Sequence, residues 1–239
     1  MPRPLIRAPI AEALIDLHSR PSREFESLDA FAAKVRDEFP EQRKLVSMSI
    51  RFDGGAELQK TDQQVTGYQL WSADKTRVIQ ARLDGFAYSQ LSPYRDWESL
   101  TSEGRRLWNS FHEVAECSNV TRYAVRYINR ILLPIAGLRF EDYLHTFPKV
   151  GWAAPQALQG LMMRLVLASP EPGSTVVLTE AFDAVEGDVV PLLLDIDVFV
   201  EKPEGISHDA AWSNLELLRK VKNDVFFSSV TDKALELFR

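Results

Sequence analysis

The order in which hydrophobic periodicities succeed one another constrains this chain more than any single motif does. Ala11 to His18 alternates Ala11, Ala13, Ile15 and Leu17 against Glu12, Leu14, Asp16 and His18, the pattern of a half-buried strand. Ser22 then stands where it can cap a helix, whose apolar residues Phe25, Leu28, Phe31, Ala32, Val35 and Phe39 recur at helical spacing until Pro40. Strands follow at Leu45 to Phe52, Gly67 to Ser72 and Val78 to Leu91, with turns at Asp53-Gly54-Gly55 and Ser72-Ala73-Asp74. After Asp96, the residues Trp97, Leu100, Leu107, Trp108, Phe111 and Val114 form one apolar helical stripe despite Gly104.

The same succession returns in the second half. Thr121 to Leu133 reads as a strand and Phe140 to Phe147 as a short helix closed by Pro148. Strands are predicted at Leu158 to Ala168, Thr175 to Phe182 and Leu192 to Val200, and Ser207 caps a long final helix. That helix carries Trp212-Ser213-Asn214-Leu215 where the earlier one carries Trp97-Glu98-Ser99-Leu100, at what reads as the same offset from the helix start. The expectation is an α+β fold made by tandem duplication of a βαβββα unit, residues 1–118 and 119–239. Antiparallel sheets would carry helices on one face, in a pseudo-twofold arrangement. The two sheets would either run together as a curved saddle or close into a barrel-like tunnel.

Four segments carry a resemblance: Pro9-Ile10-Ala11-Glu12-Ala13, Pro93-Tyr94-Arg95-Asp96-Trp97, Arg126-Tyr127-Ile128-Asn129 with Pro134, and Leu194-Asp195-Ile196-Asp197. In these the chain resembles a sporadically distributed family of bacterial and archaeal proteins of about this length. The family has no established activity, so the resemblance implies no ligand and no catalytic residue. It marks Glu12, Arg126, Asn129 and Asp197 as part of the family pattern.

Period-two geometry puts Arg122, Arg126 and Arg130 on one face of the strand from Thr121, and Tyr123, Val125, Tyr127 and Asn129 on the other. The first strand presents Glu12, Asp16 and His18 together, and the strand ending the second half presents Asp195 and Asp197. Two readings follow. In one, Arg126 pairs with Glu12, Asp195 or Asp197 and fixes strand register where the halves meet. In the other, Glu12, Arg122, Arg126, Asn129, Arg164, Asp195 and Asp197, with Arg51, Arg82 and Asp84, line a concave face that binds a ligand or a protein. Asp195 and Asp197 are also weak candidates for Mg²⁺ ligands, although no Gly-rich phosphate loop accompanies them.

Catalytic signatures are missing from the sequence. His18, His112, His145 and His208 are scattered, with no His-x-x-x-His pair, and each reads as solvated or as core. Cys117 follows a helix C-terminus, where the dipole disfavours a thiolate nucleophile. Trp97, Trp108 and Trp212 lie on apolar stripes, whereas Trp71 and Trp152 sit near a strand end and in a loop. A net charge of −6 argues against generic binding to nucleic acid or anionic membrane. The N-terminal lead lacks a signal-peptide apolar run, and the single cysteine fits a reducing compartment, so a cytoplasmic location is expected. The sequence therefore reads as a binding protein for another protein, with no cofactor. A sensor or enzyme for a phosphate-bearing small molecule in a charged tunnel, and nucleic-acid binding through the arginine stripe, stand as alternatives.

Overall fold

A computed structural model describes residues 5–20, 25–51, 59–115, 119–151, 153–155, 158–169, 173–182 and 185–239, with side chains described outside 47–63. Ser22, the Asp53-Gly54-Gly55 turn, Cys117 and Trp152 lie outside the described residues, and the side chain of Arg51 does too. The elements in chain order are β1 (Ile10–Ser19), α1 (Phe25–Lys34), β2 (Glu41–Arg51), β3 (Gln59–Trp71), β4 (Arg77–Arg82), β5 (Gly85–Leu91), α2 (Trp97–Ala115), β6 (Val120–Pro134), β7 (Leu161–Ala168), β8 (Thr175–Phe182), β9 (Val189–Ile206), α3 (His208–Ser229) and α4 (Asp232–Glu236). Only a 3-10 turn, Phe140–Asp142, forms where a short helix was expected.

All nine strands join one antiparallel sheet in the order β2-β3-β4-β5-β1-β6-β9-β8-β7. Among the described residues it is open, with β2 and β7 at its edges, and does not close into a tunnel. β1 and β6 pair from Ile10↔Asn129 to Ser19↔Val120 and make the sheet continuous across the middle of the chain.

The expected single strand Val78–Leu91 is two strands. Leu83 and Asp84 form a tight turn between β4 and β5, closed by the Arg82↔Gly85 pair. Gly85 is needed there, because a Cβ on it would stand 2.4 Å from the Leu17 carbonyl oxygen of β1.

Alternation assigns the two sheet faces. Ala13, Ile15 and Leu17 of β1, Tyr123, Val125 and Tyr127 of β6, and Ile196 and Val198 of β9 are buried on the helix side. α2 packs over β1 and β5, and α3 over β6 and β9. Gly104 lets the two helices and the sheet approach: a Cβ there would lie 3.2 Å from Tyr88 and 3.3 Å from Trp212. One continuous apolar core therefore spans both halves.

The Ser207 cap forms, its side chain accepting from the Ala210 amide. Trp97 and Trp212 do not share an offset, however. Trp97 is the first residue of α2, whereas Trp212 lies one turn into α3. Among the described residues no helix is long and apolar enough to cross a membrane.

Candidate functional site

Among the described residues the sheet face away from the helices is open, and in-register pairing places its residues in rows. One row runs Leu14, Arg126, Asp197, Val177 and Val166 across β1, β6, β9, β8 and β7. The next runs Glu12, Ile128, Asp195, Thr179 and Arg164 over the same strands. A third carries Arg130, Leu193, Ala181 and Met162. Period-two alternation is the whole reason these groups share a surface.

Asp16 is the hub of the charged centre. Arg82 donates to its Oδ1 at 2.5 Å, Arg122 to its Oδ2 at 2.7 Å, and the His18 ring lies 2.9 Å from the same Oδ2. Burial alone would raise the Asp16 pKa, but the His18 contact and the Arg82 guanidinium overcome it and hold the carboxyl well below the usual carboxylate range. Arg122 also donates to Asp197 at 3.0 Å and lies over the Phe199 ring at 4.3 Å. Asp197 is shifted upward, because burial outweighs the pull of Arg122 and Arg126.

Arg126 makes a bidentate contact with Asp195, at 2.8 and 2.6 Å. Arg130 pairs outward with Glu186 at 2.5 Å. Each arginine of the β6 stripe is thus matched by a carboxylate. Around Asp16, Arg82, Arg122, Arg126 and Asp197 lies a shallow cavity of about 360 Å³, also lined by Leu14, His18, Gln80 and Ala87.

The remaining expected residues scatter. Glu12 lies along the face without lining the cavity, and Arg164 is exposed on the edge strand β7. Asn129 belongs to the opposite face, where it is buried and donates to the Leu194 carbonyl oxygen at 3.0 Å. Asp84 lies in the β4–β5 turn and flanks Arg82 at 3.3 Å. Asp195 and Asp197 are each engaged by a guanidinium, and among the described residues no group of three or more His, Cys, Asp or Glu is arranged to hold a metal.

Asp16 and Arg82 matter more to the centre than sequence reading gave them, and His18 is neither solvated nor core but a partner of Asp16. The signal for Asp16 was its place on one face of β1 with Glu12 and His18; Arg122 reaches it diagonally, since Asp16 pairs with Ala124 and Arg122 with His18. Arg82 was expected on the charged face, but its contact with Asp16 follows only once the β4–β5 turn is placed. His112 is stacked on Trp108 at 6.1 Å and faces His208 at 4.6 Å between α2 and α3, and His145 is exposed.

Bare apolar residues flank the charged centre on the β7–β9 side. Met162 is 82% exposed, Val166 59% and Leu193 41%. Fold and face together define an α+β protein with an open antiparallel sheet whose free face joins a charge-balanced centre to an apolar margin. No family model matches this chain, and no curated protein matches it.

Proposed function

We propose that this is a non-enzymatic binding protein that recognises another protein through the open face of its sheet. The observation that carries this reading is the pairing of a neutralised charged centre with uncovered apolar side chains on the same face. Arg82, Arg122 and Arg126 stand against Asp16, Asp195 and Asp197, so the centre presents specificity without net charge. A polyanion would gain little from such a surface, since nucleic-acid affinity comes from unmatched cations. A polypeptide with its own apolar residues and mixed charges gains from both parts, because large exposed apolar side chains mark interaction surfaces.

A phosphate-bearing small molecule in the 360 Å³ cavity is the competing reading. It would have to displace carboxylates from guanidinium groups already satisfied by them, which weighs against it.

We also read the halves as diverged copies of one unit, in a cytoplasmic protein resembling the sporadically distributed family. β1 pairs with β5, the last strand of its own half, and β6 with β9, the last of the other, while β1 and β6 lie antiparallel side by side. Equivalent strands meeting antiparallel are what a twofold axis between them requires.

A photo-crosslinking residue at position 162 should trap one protein in the native host, and the same residue at the exposed helix position 98 should not. Trapping only nucleic acid at 162, or equal trapping at both positions, contradicts the reading.

A further inference from the structure

We propose that the cavity beside α3, on the helix side of the sheet, binds a small monocarboxylate with an apolar body, its carboxylate held by Lys222. The cavity has a volume of about 810 Å³, within the range of small-molecule sites. Leu5, Pro9 and Ile10 of the N-terminal segment and Leu217, Phe226 and Phe227 of α3 supply its apolar walls.

Lys222 lines this cavity while only 8% exposed. Lysines buried to this degree are almost always paired. Here, among the described residues, no hydrogen bond or ion pair reaches the ammonium, which lies over the Tyr127 ring at 3.8 Å. A π face compensates a cation only partly. Burial, and secondarily the nearby Arg219 charge, push the Lys222 pKa down to about 8, so the amine is short of an anion.

The charges around the cavity fit one anion. Arg219, Lys220 and Lys222 line it against Glu216 and Asp224, which leaves one positive charge uncancelled. Glu216 is already engaged by Arg219 at 2.9 Å. A dianion would leave a charge stranded among apolar walls, and an uncharged ligand would leave Lys222 unpaired. A single carboxylate on an aliphatic or aromatic body satisfies both demands.

Octanoate, octanol and octylamine share one body and differ in the head, so calorimetric titration of the full chain with each separates head from tail. Octanoate is expected to bind at millimolar concentration or below, with affinity at least about tenfold above octanol and octylamine, the scale of one charge-assisted hydrogen bond. Lys222→Met removes a buried charge and should fold; it should bring octanoate down to the level of octanol. In the unaltered protein, octanoate affinity should fall as pH rises above about 8, a readout that needs no variant. Equal affinity for the three probes, no octanoate binding at millimolar concentration, or an undiminished octanoate preference in the Lys222→Met protein would overturn the proposal.

Discussion

Asp16 shows how one carboxylate can set the acid stability of a whole surface. Its folded-state pKa is depressed by His18 and Arg82 against a large opposing burial effect, so its contribution is fully present above the unfolded value near 3.8 and is lost as pH falls through the folded value. Asp16→Asn should therefore destabilise the protein by about 3 kcal/mol at neutral pH, the scale of breaking one side of a buried pair. Denaturant titrations should show that difference steady down to about pH 4 and shrinking below it; a difference independent of pH would contradict the network.

Glu180 has the opposite sign. Among the described residues neither of its buried oxygens has a hydrogen-bond partner, and burial pushes its pKa up to about 7. The folded state binds its proton more tightly than the unfolded chain, so stability falls as pH rises from about 4.5 to about 7. Glu180→Gln should equal the unaltered protein near pH 4 and exceed it by about 3 kcal/mol at pH 8, since each tenfold gain in proton affinity on folding corresponds to about 1.4 kcal/mol. Urea denaturation at the two pH values measures it.

At the level of elements, strands and helices were legible where the alternation ran clean. β1, β6, β8 and β9 read directly because Ala13-Ile15-Leu17, Tyr123-Val125-Tyr127 and Leu192-Leu194-Ile196 keep strict period two. The β4–β5 turn was not, because Leu83 continues the apolar run and hides the Asp84-Gly85 turn signal beside it. Missing that turn also hid Arg82 as a neighbour of Asp16. Asn129 was legible as lying opposite the arginines, but not as a buried donor to β9, since its partner is a backbone oxygen fixed only by strand order. Gly85→Ala tests the close approach of β5 to β1: the clash with Leu17 should cost about 2–4 kcal/mol, and a neutral substitution by thermal denaturation would refute that geometry. Ser207→Ala should cost about 1 kcal/mol through loss of the α3 cap, read in the same assay.

Across the whole molecule, the β1–β6 pairing and the shared core join the halves, and the expectation is that neither folds alone. Thermal unfolding followed by far- and near-UV circular dichroism should give one coincident transition. Two separated transitions, or a stably folded 119–239 fragment, would show that the halves are independent domains. The same continuity presents the free sheet face as one surface, with the charge-balanced centre on β1, β6 and β9 and the apolar margin on β9 and β7.

The most direct test of that surface is the affinity of the purified protein for the partner trapped from position 162, measured for the unaltered chain, for Met162→Glu with Val166→Glu, and for Glu98→Lys on the helix side. The double variant, altered only at exposed side chains, should keep its thermal midpoint and lose at least about tenfold in affinity, as expected for removing interface apolar anchors. Glu98→Lys should bind like the unaltered chain. Unchanged binding by the double variant, or an equal loss in Glu98→Lys, would place the partner somewhere other than the open face.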